Sequence, residues 1–185
     1  MRKKSKEEIL EGFLWDLEKM RPTLQTLFRL ARKAQKDLDG PLRPQPQRNL
    51  LDGMQRGAML DRAQEIYAAS IFLVLDLWIK KLRKSLDLEH DKTEFGEQVS
   101  RTRLAPLIKA TANNFRHYYG WAEPSAEAIK SIRIIDAAGI RNFRDSNISP
   151  LVLQVLEVDT YEELEAKVRG IGQEMLNRAL GRLKK

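Results

Sequence analysis

The spacing of apolar residues constrains this chain most. Ile9, Phe13, Leu17, Met20, Leu24, Leu27, Phe28, Ala31 and Leu38 mostly recur at helical intervals, the repeat that gathers side chains on one face of a 3.6-residue helix. A second stripe, Leu164, Val168, Ile171, Met175, Leu176 and Leu180, lies near the end of the chain. Alternating β-branched runs, the mark of half-buried strands, are almost missing between them. The pattern predicts an all-α protein, an antiparallel helical bundle of about five main helices.

Punctuation residues divide the pattern into elements. Ser5 with Glu8 reads as a capping box opening the first helix. Pro22 lacks a backbone donor and crowds the preceding turn, so a kink or break is expected between Met20 and Thr23. Gly40, Pro41, Pro44 and Pro46 make Asp37 to Arg48 a loop. A second helix is expected from a cap at Asp52 to Leu86, apolar on nearly every side from Ile66 to Ile79 and therefore buried all round. Asp76 is the exception there, and such a carboxylate needs a partner or a proton. Lys80, Lys81, Arg83 and Lys84 form a basic last turn that suits the helix dipole. A polar loop, Asp87 to Gly96, holds His90.

A third helical region is expected over Glu97 to Tyr119, with Pro106 kinking it or standing in the first turn of its second half, and Gly120 ending it. A helix from Pro124 to Ala138 closed by Gly139, a loop from Arg141 to Ser149 and a short helix from Ser149 to Gln154 follow. Asp159 with Glu162 reads as the capping box of a final helix reaching Arg182. Gly170 and Gly172 weaken that helix by ~1 kcal/mol each relative to Ala. The chain reads as a single domain, residues 1–185, with a core over 5–120 and a C-terminal helical extension over 124–183.

Composition narrows the function. Among 185 residues 42% are hydrophobic and 32% charged, the balance of a globular chain with a heavily charged surface. No cysteine occurs, which excludes a disulfide framework, a thiol nucleophile and thiolate metal sites. The formal charge of +7 suits a polyanionic partner such as RNA, and equally a surface charged for solubility. Glu7, Glu8 and Glu11 interrupt the basic N-terminus before any apolar signal segment. The longest apolar run, Ala68 to Ile79, contains Ser70 and Asp76 and is shorter than the ~20 residues of a membrane span. These features imply a cytoplasmic protein with no membrane partner.

Chemistry concentrates in Ala112-Asn113-Asn114-Phe115-Arg116-His117-Tyr118-Tyr119-Gly120-Trp121. On a helix, Leu104, Leu107, Ile108, Thr111, Phe115 and Tyr118 share the core face. Arg103, Asn114, His117 and Trp121 fall on one flank, Lys109 and Arg116 on the other. Arg116 can grip a phosphate with two parallel hydrogen bonds. His117 can move protons near neutral pH. Tyr118, Tyr119 and Trp121 offer faces for stacking bases, and Asn113 and Asn114 can bond base edges. Arg116 and His117 point ~100° apart, so one small atom is beyond their joint reach unless a second subunit or an irregular last turn brings them together. The competing reading is structural: aromatic rings at a core boundary, asparagines as caps, and Arg116 neutralising Asp76 or another buried acid.

A core of antiparallel helices with an Arg/His motif on a late helix resembles the HEPN superfamily, the higher eukaryotes and prokaryotes nucleotide-binding domains. The likeness covers Glu7 to Tyr119 as a helix pattern and Asn113 to Trp121 as a motif. The superfamily's usual motif sets Arg and His roughly four to six residues apart; here the two are adjacent. The resemblance implies a metal-independent endoribonuclease of a toxin–antitoxin or phage-defence system, acting as a homodimer with an antitoxin or defence-system protein as a possible partner class. Arg116 would stabilise the scissile phosphate and His117 would transfer protons. Asn113, Asn114, Lys109, Arg103, Tyr119 and Trp121 would bind or position RNA.

No phosphate-binding glycine loop, His-Glu-x-x-His or nucleophile elbow is present. Two histidines, His90 and His117, without cysteine argue against a metal site, and no cofactor is implied. The paired carboxylates Glu7-Glu8 and Glu162-Glu163 sit in first helical turns, where they complement the dipole. Three functions remain in order: an RNA-directed protein, a ribonuclease in the form the resemblance implies; a non-catalytic helical protein–protein interaction module or adaptor; and a helix-turn-helix DNA binder, which lacks a clear short turn before a recognition helix.

Overall fold

The computed structural model describes residues 4–39, 50–117, 126–141 and 148–181, without the side chains of 50–56 and 117. Its elements are α1 (Lys6–Asp39), α2 (Leu50–Ser85), β1 (Gln98–Val99), β2 (Thr102–Arg103), α3 (Leu104–His117), α4 (Ala126–Ala137), α5 (Ile148–Val155) and α6 (Tyr161–Ala179). The protein is an all-α helical bundle with one small hairpin. The helices α1 and α2 pack along each other, α6 lies against α1, α3 sits between α2 and α4, and α5 rests on α2.

Side-chain bonds give the directions. Gln64 donates to Gln35, and Lys81 pairs with Asp16 at 3.1 Å, so α1 and α2 run antiparallel. Between α1 and α6, Lys6 reaches the carbonyl of Ala179, Arg21 reaches Glu165 and Gln25 reaches Glu162, again antiparallel. Arg21 grips Glu165 with two bonds of 2.8 Å, and Arg169 adds a third. These bonds, Arg21's first, hold the buried Glu165 carboxyl below its ordinary range.

The expected stripes form the core. Phe13, Leu17, Leu24, Phe28 and Ala31 of α1 are buried, as are Leu164, Val168, Ile171, Met175 and Leu176 of α6. Ser5 and Glu8 make their reciprocal cap, at 3.1 and 2.7 Å. Gly139, at φ +92, ends α4 by letting Ile140 donate to Ile135 and Gly139 to Asp136.

Several expectations are corrected. The expected alternative of a break at Pro22 is not met: α1 is helical from Lys6 to Asp39, with the ring on its exposed face and Leu17 and Leu24 fully buried on either side. The second helix already includes Leu50, so Asp52 lies inside it and does not open it. Residues 97–103 are not helical: Gln98 pairs with Arg103 and Val99 with Thr102 across a tight turn. That places Pro106 in the first turn of α3, where its missing donor costs nothing. The α6 cap is Thr160 with Glu163, one residue later than the Asp159–Glu162 pair. Burial all round from Ile66 to Ile79 is also wrong: Ile66 is 41% and Leu77 58% exposed, in line with Met59 at 73%. The expected loop segments over 40–48 and 142–147 and the chain around Gly120 lie outside the described residues.

Candidate functional site

Asp76 is, with Glu165, one of the two most deeply buried carboxylates among the described residues. It stands on α2, whose Phe72, Leu75 and Ile79 are also buried, and is 2% exposed. Two cations meet its Oδ2: Lys80 Nζ at 2.7 Å and Arg116 Nη1 at 2.9 Å. Lys80 stands one turn further along the same helix, the spacing at which opposite charges face each other. Arg116 comes from the far end of α3, and its Nη1 also donates to Asn113 Oδ1 at 3.0 Å, one turn back. A buried carboxylate with one cation would be neutralised; with two, the group carries an excess positive charge. The lysine and arginine side chains keep 46% and 30% of their exposure, so that charge is presented at the surface.

The other candidates are placed as follows. Asn114 is 4% exposed, on the core side of α3 and not on an open flank, which a turn's-worth of helical offset from Thr111 and Ala110 explains. Arg103 is on β2 rather than on α3. It donates through Nε to the Gly96 carbonyl at 2.6 Å and pairs with Glu174 of α6 at 3.1 Å. Glu174 also accepts from Gly96 N at 3.0 Å. Gly96 has φ +91, and a Cβ there would stand 2.9 Å from Ile171 and Leu104, so Arg103 and Glu174 clamp a turn that only glycine fits. Lys109 is exposed on α3. His117 belongs to α3, but its side chain lies outside the described residues, as do Tyr118, Tyr119 and Trp121 altogether. His90 is exposed beyond the end of α2.

In the sequence Lys80 belongs to a basic helix end. The signal that could have singled it out is its four-residue distance from Asp76, the lone acid of an apolar stretch. A further buried carboxylate, after Asp76 and Glu165, carries no signal in the sequence. Glu65 of α2, 8% exposed, accepts from Ser149 N at 3.0 Å and Ser149 Oγ at 2.7 Å in the first turn of α5. Burial raises its pKa to about 7 against the lowering effect of those bonds, with Asp61 adding a smaller push upward.

Among the described residues no group of three or more His, Asp or Glu is arranged to hold a metal ion. No described helix is long and apolar enough to cross a membrane. Compared with known proteins, the chain matches no family model, no curated protein and no solved structure.

Proposed function

We propose that this protein is an RNA-directed helical protein of HEPN-like character, in which Arg116 and Lys80 receive a backbone phosphate. The supporting observation is the Asp76 cluster: one buried acid holding two partly exposed cations side by side. A guanidinium whose Nη1 is tied to a carboxylate still has donors for an anion, and a tethered side chain loses less freedom on binding. The overall charge of +7 adds long-range attraction for a polyanion. In the catalytic form of this reading, as a metal-independent endoribonuclease of a toxin–antitoxin or defence system, His117 follows Arg116 directly and supplies the proton transfer. The test of that form is RNA degradation in EDTA by the wild type and by His117→Ala. Cleavage by the wild type alone supports catalysis; equal cleavage by both, or none by either, removes it.

A second reading, a non-catalytic interaction module or adaptor, is favoured by a different observation. Arg103, Asn114 and Arg116 all serve the fold, through Glu174, the core of α3 and Asp76 respectively, while an apolar stripe of α2 stands exposed.

A further inference from the structure

We infer that the open edge of the Asp76 cluster is a donor cradle for the backbone phosphodiesters of a single nucleic-acid strand, with Asn113 as its third member, and that this cradle reads neither base nor sugar. The inference rests on the reading of Arg116 and Lys80 as a phosphate site and narrows it. Arg116 Nη1 carries two hydrogens, and both are engaged: one goes to Asp76 Oδ2 at 2.9 Å, the other to Asn113 Oδ1 at 3.0 Å. Its Nε and Nη2 have no acceptor among the described residues. Those two nitrogens form the other edge of the planar fork, whose paired N–H groups match two oxygens on one phosphorus. The buried Asp76 thus decides which edge of the guanidinium is left for a ligand.

The same bond fixes Asn113. Arginine only donates, so the atom that faces Nη1 has to be the amide oxygen. The amide nitrogen of this half-buried side chain has no acceptor among the described residues. An asparagine reads adenine by offering its oxygen and nitrogen together. Here Arg116 engages the oxygen, so the base-edge role expected of Asn113 gives way to that of a donor. Lys80 Nζ meets the same Asp76 oxygen, which keeps it within about 6 Å of Arg116 Nη1 and leaves ammonium hydrogens to spare. The cluster thus presents N–H donors from three side chains, and Asp76 holds two of those chains in place before any strand arrives.

Charge selects the ligand. A guanine edge would also fit the open fork of Arg116, but it is neutral, while the two cations exceed Asp76 by one formal charge. Hydrogen bonds to an ionised acceptor are about twice as strong as those between neutral groups. The same argument sets a phosphate oxygen above a sugar hydroxyl. One excess charge matches the single charge of a backbone diester, whereas a terminal phosphate carries about 1.5 to 2 at neutral pH. At this cradle RNA and DNA single strands are therefore equivalent, and a preference between them has to arise elsewhere on the chain.

Fluorescence anisotropy of the full chain with short labelled single strands tests the cradle. The strands contain pyrimidines only, or one central adenine or guanine, each as RNA and as DNA, with and without a 5′-phosphate. Asn113→Ala should weaken every strand by the same factor of about three to ten, with the salt slope unchanged, because it removes a donor and no charge. Alanine is the better helix former, so the fold is kept. Arg116→Lys keeps the charge and loses the fork; it should weaken all strands alike by about tenfold, again with the slope unchanged. The 5′-phosphate should alter the wild-type affinity less than about twofold. Full affinity in either variant, a loss confined to RNA, to DNA or to one base, or a tenfold gain from the terminal phosphate overturns the cradle. If Lys80→Gln still weakens RNA and shrinks its salt slope in that event, the phosphate reading stands without it. A wild type that binds neither RNA nor DNA overturns both.

Discussion

Arg116 Nη1 lies 2.9 Å from Asp76 Oδ2, joining α3 to the interior of α2 across forty residues of chain. The bond has two consequences. It compensates a carboxylate that could not be buried alone, and it aims a guanidinium beside Lys80.

The structural part of that bond is measurable. Among the described residues Arg116→Ala leaves Asp76 with Lys80, and an under-compensated buried carboxylate costs about 1–3 kcal/mol. Urea unfolding of Arg116→Ala, Asp76→Asn and the double variant should give a coupling of about 0.5–3 kcal/mol. Strictly additive losses would show that the two groups do not stabilise each other.

Glu65 gives a pH dependence of definite sign. Its folded pKa of about 7 stands above the ordinary 4.5, so the folded state holds a proton that the unfolded state has released between these values. Its contribution is complete below pH 4.5 and is lost as pH rises through 7. At 1.36 kcal/mol per unit the loss is about 3 kcal/mol by pH 8. Glu65→Gln, which stays neutral, should remove this slope and exceed the wild type in stability at pH 8. Parallel stability–pH curves for the two proteins would mean that Glu65 ionises freely.

Two glycines of α6 should respond in opposite ways. A Cβ at Gly170 meets nothing within 4 Å, so Gly170→Ala is expected to stabilise by about 0.5–1 kcal/mol through helix propensity. At Gly172 a Cβ would stand 3.0 Å from Leu10 and 3.1 Å from Phe13, where α6 approaches α1. Gly172→Leu should cost about 1–3 kcal/mol by overpacking. Thermal unfolding decides, and a stabilised Gly172→Leu would contradict the close approach.

These residues also show what the sequence carried. The stripes of α1 and α6 were legible because helical periodicity is a local property, and Leu17, Leu24, Val168 and Ile171 are all fully buried. The cap of α6 slipped by one residue because Asp159 and Thr160 are both good caps, each with a glutamate three residues on. The hairpin at 98–103 escaped because it turns at Ser100, with φ 52, and uses neither glycine nor a β-branched run of useful length. Gly172 read as a weak point of its helix because the approach of α1 is a tertiary fact. Of the candidate site, the need of Asp76 for a partner was legible, and Arg116 was one of the groups that could meet it. Lys80 joined them through spacing that had been assigned to the helix dipole.

The most direct measurement is the affinity of a labelled single-stranded RNA, followed by fluorescence anisotropy in EDTA across a salt series. The wild type should bind with an affinity that falls steeply with salt. Lys80→Gln and Arg116→Gln, checked for retained helicity, should each weaken binding about tenfold and shrink the salt slope by about 0.7, the loss of one phosphate contact. An RNA affinity too weak to measure at low salt, or one that neither substitution changes, would contradict a phosphate held by the two cations of Asp76.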